Sequence, residues 1–485
     1  MNENDKNNIP QINASVSVLS ASTLLRYRDR ILNGPILKTM TWLAWPIVIA
    51  NLVNISYNLI DTFWLGKLGK ESLSAPVVCW PLIMLFYSIG MGFSSAGISL
   101  ISQYVGAGES ELANKSASHL YGFMAMLAAG LSLLGYLTTP TILALIGVPP
   151  DVLPLAVEYI KVIFMGIPIA FVGFAFIAIL NSLGDTRTPT ILGIISSLAN
   201  LVLDPILIFG YFGLPALGVV GAAVATVISR ALLSVIGIVL LAKRWMGIRI
   251  IVRELIPQKW WLSKVFRIGA PLALQQSANA LGFTIMTGIV SKFGSVVISA
   301  YGVGIRIIDL LQAFSMGFMN ATAIMVGQNI GAEYYDRAKK IAIRSLTLMA
   351  TLMAIGTLLI YLFRTHLIAA FINDPRVIEE GVRFLMIFLP SIPFFGMFFI
   401  SGGIARGSGH TKAFTIISLI RLWALRIGLS YLLGIALNYG PTGIWAAMSV
   451  SNIAAGIMAT AWVSRGTWLR RVIEVPTSLG ATHHR

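Results

Sequence analysis

Two polar residues one helical turn apart interrupt an apolar stretch of the chain. The segment SSLANLVLDPILIFG, residues 196–210, carries Asn200 and Asp204. The rest of this segment is apolar enough to lie in lipid, where a central carboxylate costs about 2.5–3.5 kcal/mol on insertion scales. A second carboxylate of this kind is Asp61, which lies in NISYNLIDTFWLG with Tyr57 four residues before it. Each pair shares one helix face, so both carboxylates are candidates for a functional site.

Oxygen-bearing side chains in lipid have two chemical uses and one structural use. A buried carboxyl group beside a second one holds its proton more tightly, so it can carry protons. A hard cation such as Na⁺ is bound by oxygens, which Asp61, Asn200, Asp204 and Thr226 would supply. The structural alternative is a neutral, hydrogen-bonded aspartate that holds helices together. We expect a functional role because two such carboxylates occur, and the sequence leaves H⁺ and Na⁺ open.

The elements that position these residues must be membrane helices. The chain has 485 residues, of which 56% are hydrophobic and only 11% are charged, whereas soluble domains average about 25% charged residues. Spans in lipid have to be helical because every backbone group needs an internal partner. We predict an all-α polytopic fold with twelve spans, at 39–65, 72–104, 115–138, 153–181, 188–211, 217–242, 267–291, 296–330, 342–363, 382–405, 413–437 and 441–464.

The charge distribution predicts the orientation of the chain. The net charge is +16, and most of the 35 Lys and Arg residues fall in segments on the same side as the N-terminus. By the positive-inside rule, both termini are cytoplasmic in a multi-pass plasma-membrane protein. The charge is therefore a topology signal, and nucleic acid is not an expected partner. The predicted segments are a tail (1–38), a first lobe (39–242), a linker (243–266), a second lobe (267–465) and a tail (466–485).

The sequence contains an internal repeat, in which positions 46–117 align without a gap with positions 271–342. The segment MGF at 91–93 aligns with MGF at 316–318, and Gln103 with Gly106 aligns with Gln328 and Gly331. Each copy contains six spans, and an even number returns the chain to its starting side, so the two lobes share one orientation. Parallel repeats around a central cavity are typical of transporters that work by alternating access.

The two copies differ in their polar residues. Met286 and Leu429 take the places of Asp61 and Asp204, so these carboxylates belong to the first lobe alone. The second lobe has polar residues of its own, and we predict either a second polar site or hydrogen bonds between helices. For Asp309 the structural alternative is an ion pair with Arg306 or with an arginine of the eleventh span. The second-lobe candidates are Gln275, Gln276, Asn279, Arg306 and Asp309.

Several motifs together resemble one transporter family. They are GPILKTMTWLAWPIVIANLVNISYNLIDTFWLGKLG, SLGDTRTP, NLVLDPILIFG and GVVGAAVAT, and they resemble the multidrug and toxic compound extrusion (MATE) family, in particular its prokaryotic DinF-like branch. The resemblance implies two six-helix lobes and outward transport of organic compounds, often cationic, against inward H⁺ or Na⁺. It also implies bending of the first helix near Pro46. The family's first-lobe cation site matches Tyr57, Asn58, Asp61, Asn200, Asp204 and Thr226.

The main rival is a lipid-linked saccharide or lipid flippase of the same superfamily. Such a carrier needs several arginines for pyrophosphate, and we expect the arginines inside the spans to be few and confined to the second lobe. A channel is disfavoured by the repeats and the prolines within spans. No P-loop, nucleophile motif or cluster of metal ligands indicates an enzyme, and no cofactor is expected. The expected partners are small organic substrates and the bilayer, with the protein as a monomer.

Overall fold

The computed structural model of the chain describes residues 22–68 and 70–474, apart from the side chains at 57–63, 66, 70, 71 and 73. Helices are the only regular secondary structure in that part of the chain. In order they are α1 (22–33), α2 (Ile36–Gly66), α3 (Lys70–Ala107), α4 (Ser110–Ile146), α5 (Leu153–Met165), α6 (Ile167–Leu183), α7 (Arg187–Phe209), α8 (Gly218–Ala242), α9 (Lys259–Ser291), α10 (Ser295–Gly331), α11 (Tyr335–Ala369), α12 (Pro375–Phe388), α13 (Ile392–Ser408), α14 (Thr411–Leu419) and α15 (Gly440–Ser464).

The all-α prediction is confirmed, and each predicted span corresponds to a helical segment. Ten segments of the described chain are long and apolar enough to cross a membrane, and α5 with α6 forms an eleventh span with a bend of 44°. The remaining predicted span is α9, which has 33 residues. Its three amide side chains, Gln275, Gln276 and Asn279, make it less apolar than the others.

The hydrophobic core of each lobe includes half of one helix from the other lobe. One hydrophobic core is built mainly from α3 to α8, but it also contains Val265 and Ile268 from the first half of α9. The other core is built mainly from α10 to α15, and it contains Met40 and Leu43 from the first half of α2. The first halves of α2 and α9 therefore join the opposite lobe, which gives the lobes a shared, interlocked surface.

The repeated MGF segments provide close contacts at this surface. A side chain at Gly92 would collide with the backbone of Ala273, and one at Gly317 would collide with Ala44 and Val48. The contacts are equivalent, because the alignment that relates Gly92 to Gly317 also relates Val48 to Ala273. Small residues let helix backbones approach closely in membranes. The glycine of each MGF segment therefore allows α3 to pack on α9 and α10 to pack on α2.

Candidate functional site

The first-lobe site lies where α2, α7 and α8 meet. Leu65, Ile208 and Ala222 form a small buried cluster between these three helices. Trp64 packs edge-on against Phe209, with the ring centroids 6.2 Å apart. Through these contacts Leu65, Ile208 and Ala222 lie at the same height in the helix bundle. The residues one helical turn away on each helix are therefore also close to one another.

One helical turn from this cluster, the three helices carry the predicted site positions. Position 61 precedes Leu65 by four residues, Asp204 precedes Ile208 by four, and Thr226 follows Ala222 by four. Residues four apart share a helix face, so α2, α7 and α8 bring these positions to one level. The side chains of Tyr57, Asn58 and Asp61 lie outside the described residues, and their roles stay predictions.

Asn200 and Asp204 form a hydrogen-bonded pair inside the first lobe. The Asn200 side-chain Nδ2 donates to Asp204 Oδ1 over 3.0 Å. Asp204 is fully buried and Asn200 is 3% exposed. A buried carboxylate requires a compensating charge, proton or set of hydrogen bonds. The structure therefore places Asp204 in the buried interior of the first lobe, with Asn200 as a hydrogen-bond donor.

Arg230 is a first-lobe residue for which the sequence analysis predicted no role. It lies on α8 one turn beyond Thr226, and it donates a hydrogen bond to the hydroxyl of Tyr87 on α3. Its guanidinium carbon also lies 4.7 Å from the centroid of the Tyr87 ring. The expectation that arginines within the spans are confined to the second lobe is therefore wrong. Its position four residues after Thr226 was the signal available in the sequence.

Two prolines lie within the helices of this site. Pro46 is inside α2 and Pro205 is inside α7, directly after Asp204. Proline removes one helix hydrogen bond and lowers the resistance of the helix to bending. Both helices run through their proline without a break. Bending at Pro46 stays a prediction.

The second-lobe candidates do not form one cluster. Gln275 is buried and donates to the Ser418 hydroxyl on α14 over 3.1 Å. Asp309 accepts a hydrogen bond of 2.9 Å from Gln312 on its own helix, whereas Arg306 is exposed. Among the described residues Asp309 forms no salt bridge within 4 Å, although the Arg306 charge acts on it, so a direct ion pair is not found. Gln276 and Asn279 are half-buried on α9.

Beyond α14 the eleventh span continues as a π-helix, in which each turn holds more residues than in an α-helix. The two π-helical segments are Ile420–Gly428 and Ser430–Ala436. Arg426 in this segment donates to Ser451 Oγ over 3.2 Å and to Asn452 Oδ1 over 2.6 Å. Arg421 lies over the rings of Phe395 and Phe398, at 5.3 Å and 5.0 Å from their centroids. Wide turns of this kind are frequent at functional sites. In the second lobe, Arg426 is therefore hydrogen-bonded to neutral side chains, and Arg421 packs against aromatic rings.

Removing Arg426 will destabilise the second lobe. Arg426→Met leaves the buried side chain of Asn452 without its charged donor, and a hydrogen bond to a charged group contributes about 1.5–3 kcal/mol. We expect the apparent Tm to fall by about 2–6 °C. Thermal unfolding in detergent measures the change. Arg306→Met is the matched control, since this arginine is exposed, and an equal fall in both variants would contradict the assignment.

Two equivalent glutamines form hydrogen bonds between the lobes, on the side of the molecule where the chain termini lie. Gln103 on α3 donates to the carbonyls of Gly407 and Ser408 at the end of α13, each over 3.1 Å. Gln328 on α10 donates to the carbonyl of Ser182 at the end of α6 over 2.8 Å. The alignment of the two copies relates both the glutamines and their acceptors Ser182 and Gly407. Each lobe therefore reaches across to a helix end of the other.

Two glycines allow these helices to touch. A side chain at Gly106 would collide with the backbone of Gln328, and one at Gly331 would collide with the backbone of Gln103. We call the group Gln103, Gly106, Gln328 and Gly331 the inter-lobe gate. All four residues are repeated between the lobes, and the two lobes are in contact there in this structure. This contact requires that positions 106 and 331 lack a side chain.

Segments near both termini cover the gate. Arg28 on α1 donates to the carbonyls of Val105 and Gly106 over 2.8 Å and 2.7 Å. Arg471 donates to the carbonyls of Ile330 and Gly331 at the end of α10. Free carbonyls at a helix end need such donors. Residues 22–33 and 471, which lie in the predicted tails, thus support the contact at the gate.

The described helices form two equivalent lobes, and the first lobe contains a buried carboxylate. This architecture is typical of membrane transporters of the two-lobe type. The MatE family model matches residues 46–206 and 271–432, one segment in each lobe. The chain belongs to the MatE family of membrane transporters.

Known relatives cover nearly the whole chain. It is 28% identical over 412 residues to the "Probable multidrug resistance protein YoeA" of Bacillus subtilis, covering 84% of this chain and 89% of that protein. It is 27% identical over 435 residues to a "FAD transporter" of Shewanella oneidensis, covering 89% and 95%. A solved structure described as the outward-facing conformation of a multidrug resistance MATE family transporter matches with a TM-score of 0.85 and 23% identity, over 91% of this chain and 98% of that one. This last similarity concerns the fold.

Proposed function

We propose that the chain is a secondary active exporter of small organic compounds, driven by inward movement of H⁺ or Na⁺. The observation that carries the proposal is the buried Asn200–Asp204 pair in the first lobe. Leu425 and Leu429 stand at the matching positions of the second lobe. Because the second lobe folds without this pair, the repeated scaffold does not require it, which supports a functional role.

The first-lobe site supports ion coupling because its chemistry suits a transient cation. A proton on Asp204 removes the cost of a buried charge. Na⁺ would instead be bound by oxygens of Asp204, Asn200 and Thr226, with Asp61 as the expected fourth contributor. We propose Tyr57 and Asn58 as further contributors from α2. The described residues hold no group of three acidic, His or Cys side chains that would bind a metal ion, so a tightly bound divalent metal is not part of the proposal.

The contact between the lobes at the inter-lobe gate supports alternating access. In the proposed cycle, a cation enters at Asp61 and Asp204 while the gate is closed. The lobes then rock, the gate opens, and the cation leaves as a new substrate binds. One elementary charge moving through 100 mV provides about 2.3 kcal/mol. That energy sustains roughly a fiftyfold gradient of a neutral substrate at one-to-one exchange.

The membrane location, orientation and partners of the protein follow from the proposed function. We propose a plasma-membrane protein with both termini in the cytoplasm, on the side of the inter-lobe gate. It acts as a monomer without a cofactor and catalyses no covalent reaction. The names of several relatives refer to multidrug resistance or export, which supports organic compounds as substrates.

Efflux from proteoliposomes tests this function. Purified protein is reconstituted with a fluorescent organic cation inside, and an inward proton gradient or an inward sodium gradient is applied. We expect one of the two gradients to accelerate efflux above protein-free vesicles, and that gradient identifies the coupling ion. Efflux that responds to neither gradient would contradict ion-coupled export.

Anionic aromatic compounds are a second class of candidate substrate. Arg421 and Arg426 lie inside the second lobe, and among the described residues neither forms an ion pair. The relative named as a FAD transporter shows that a similar sequence is associated with an anionic aromatic cargo. The same vesicles loaded with a fluorescent flavin nucleotide test this class. Gradient-driven efflux of the flavin and not of the organic cation would favour it.

A further inference from the structure

A groove on the outer surface of the bundle lies apart from the site and from the inter-lobe gate. It runs between the first half of α2 and the first half of α7, next to α1, and its volume is about 830 Å³. Its walls come from α1, α2 and α7, so it lies where the first half of α2, which packs in the second-lobe core, runs alongside α7 of the first lobe. Among the described helices, none from α8 to α15 lines the groove, and its exposed apolar side chains suit contact with surrounding lipid.

The end of the groove nearest the termini carries three positive charges. Arg30, Lys38 and Arg187 line it, and all three are exposed. None of them forms an ion pair with a described carboxylate. The nearby carboxylates make hydrogen bonds to neutral groups: Asp29 accepts from Asn33, and Asp185 accepts from Thr188 and Trp245. This end therefore carries three cations that lack a direct ion-pair partner among the described residues.

The rest of the groove is apolar. Trp45 and Ile191 line it and are 51% and 56% exposed, and Ile49 and Ile194 extend it along the two helices. Trp42 lies at the boundary, with the Arg30 guanidinium carbon 4.3 Å from its ring centroid. Tryptophan is enriched at the level of lipid headgroups. Along the groove, the basic residues are followed by tryptophan rings and then by an aliphatic wall. This order matches the phosphate headgroup, the interfacial region and the acyl chain of a phospholipid.

We propose that this groove binds an anionic phospholipid, with Arg30, Lys38 and Arg187 at the phosphate and the acyl chain along the aliphatic wall. Basic pockets between membrane helices bind anionic headgroups in this way. The charge complementarity selects an anionic lipid over a zwitterionic one, whose ammonium group would meet the same three cations. The lipid is a bound partner of the transporter and is distinct from the exported compound.

The bound lipid would act on the helix that carries the first carboxylate. Pro46 lines the groove at the point where α2 lacks a backbone hydrogen bond. An acyl chain seated beside Pro46 would pack against α2 at this weakened point. Lipid binding therefore stabilises the form of α2 seen here, which runs through Pro46 without a break.

Native mass spectrometry with defined lipids tests the proposal. The probes are phosphatidylglycerol and phosphatidylcholine with identical acyl chains, added to delipidated protein, with inorganic phosphate as a third arm. Each near-surface Lys or Arg contributes about a fivefold factor toward an anionic lipid. We expect one phosphatidylglycerol to be retained in strong preference to phosphatidylcholine. In the combined variant Arg30→Gln, Lys38→Gln and Arg187→Gln, the preference falls by roughly a hundredfold.

A matched variant separates this groove from the general charge of the protein. Lys243→Gln, Arg253→Gln and Lys259→Gln also remove three exposed positive charges, outside the groove, and we expect that variant to keep the preference. Equal retention of the two lipids by the wild-type protein would overturn the proposal. So would an equal loss in both variants, or inorganic phosphate displacing the lipid at millimolar concentration, which would indicate a site for free anions.

Discussion

Replacing Gly331 with alanine will hold the two lobes apart on the side where the termini lie. In the closed gate a Cβ atom at this position would collide with the backbone of Gln103, and a backbone cannot move aside as a flexible side chain can. Overpacking of this kind costs about 1–3 kcal/mol, which shifts a two-state equilibrium by about 5- to 150-fold. Transport then stalls, because the state with a closed gate is sparsely populated.

The labelling rate of a buried cysteine measures how often the inter-lobe gate opens. Ser102 is fully buried on α3, and Ser102→Cys in a Cys79→Ser background provides a single reactive thiol. We expect Gly331→Ala to increase the rate of its reaction with a membrane-impermeant maleimide. Gly302→Ala is the matched control, since this glycine lies on the same helix with open space around it. An unchanged labelling rate in Gly331→Ala would show that the gate tolerates a side chain.

Asp204→Asn will abolish gradient-driven efflux without unfolding the protein. Asparagine has nearly the same shape and can still accept from Asn200, but it cannot bind a proton and attracts a cation weakly. If the carboxylate couples the ion to transport, efflux driven by the gradient identified above should fall below about a tenth of the wild-type rate, a loss of about 1.4 kcal/mol or more. Reconstituted efflux at matched protein density measures it.

The control for this variant is Asp309→Asn in the second lobe. Asp309 is also a carboxylate within a span, and it accepts a single described hydrogen bond, from Gln312. We expect its variant to retain gradient-driven efflux. Normal efflux by Asp204→Asn would make this aspartate a structural residue, and loss of efflux only in Asp309→Asn would move the coupling site to the second lobe.

The helices could be predicted because composition and repetition are both visible in the sequence. Each predicted span corresponds to a helical segment, since a membrane leaves helices as the only possible spans for such segments. The alignment of the two copies also identified Gln103 and Gln328 as equivalent. What these glutamines do could not be predicted, because their acceptors at Gly407 and Ser182 are backbone carbonyls that carry no residue signal.

The details of the lobes depend on packing that no single helix reveals. Met40 and Val265 join the core of the opposite lobe, and this exchange follows from how α2 and α9 cross. The contact between Arg230 and Tyr87 joins α8 and α3, so it required knowledge of which helices are neighbours. An ion pair with an arginine was one alternative for Asp309, but its described hydrogen-bond partner is Gln312, three residues away on the same helix face.

The proposed function requires that the first-lobe carboxylates move an ion inward as substrate moves outward. Simultaneous recording of substrate efflux and of internal pH or internal Na⁺ in the same proteoliposomes measures this coupling. We expect ion uptake to begin when substrate is supplied, in a fixed ratio to efflux, in the wild-type protein and in Asp309→Asn, and to be absent in Asp204→Asn. Ion uptake in Asp204→Asn at the wild-type ratio to efflux would show that Asp204 does not couple the two movements.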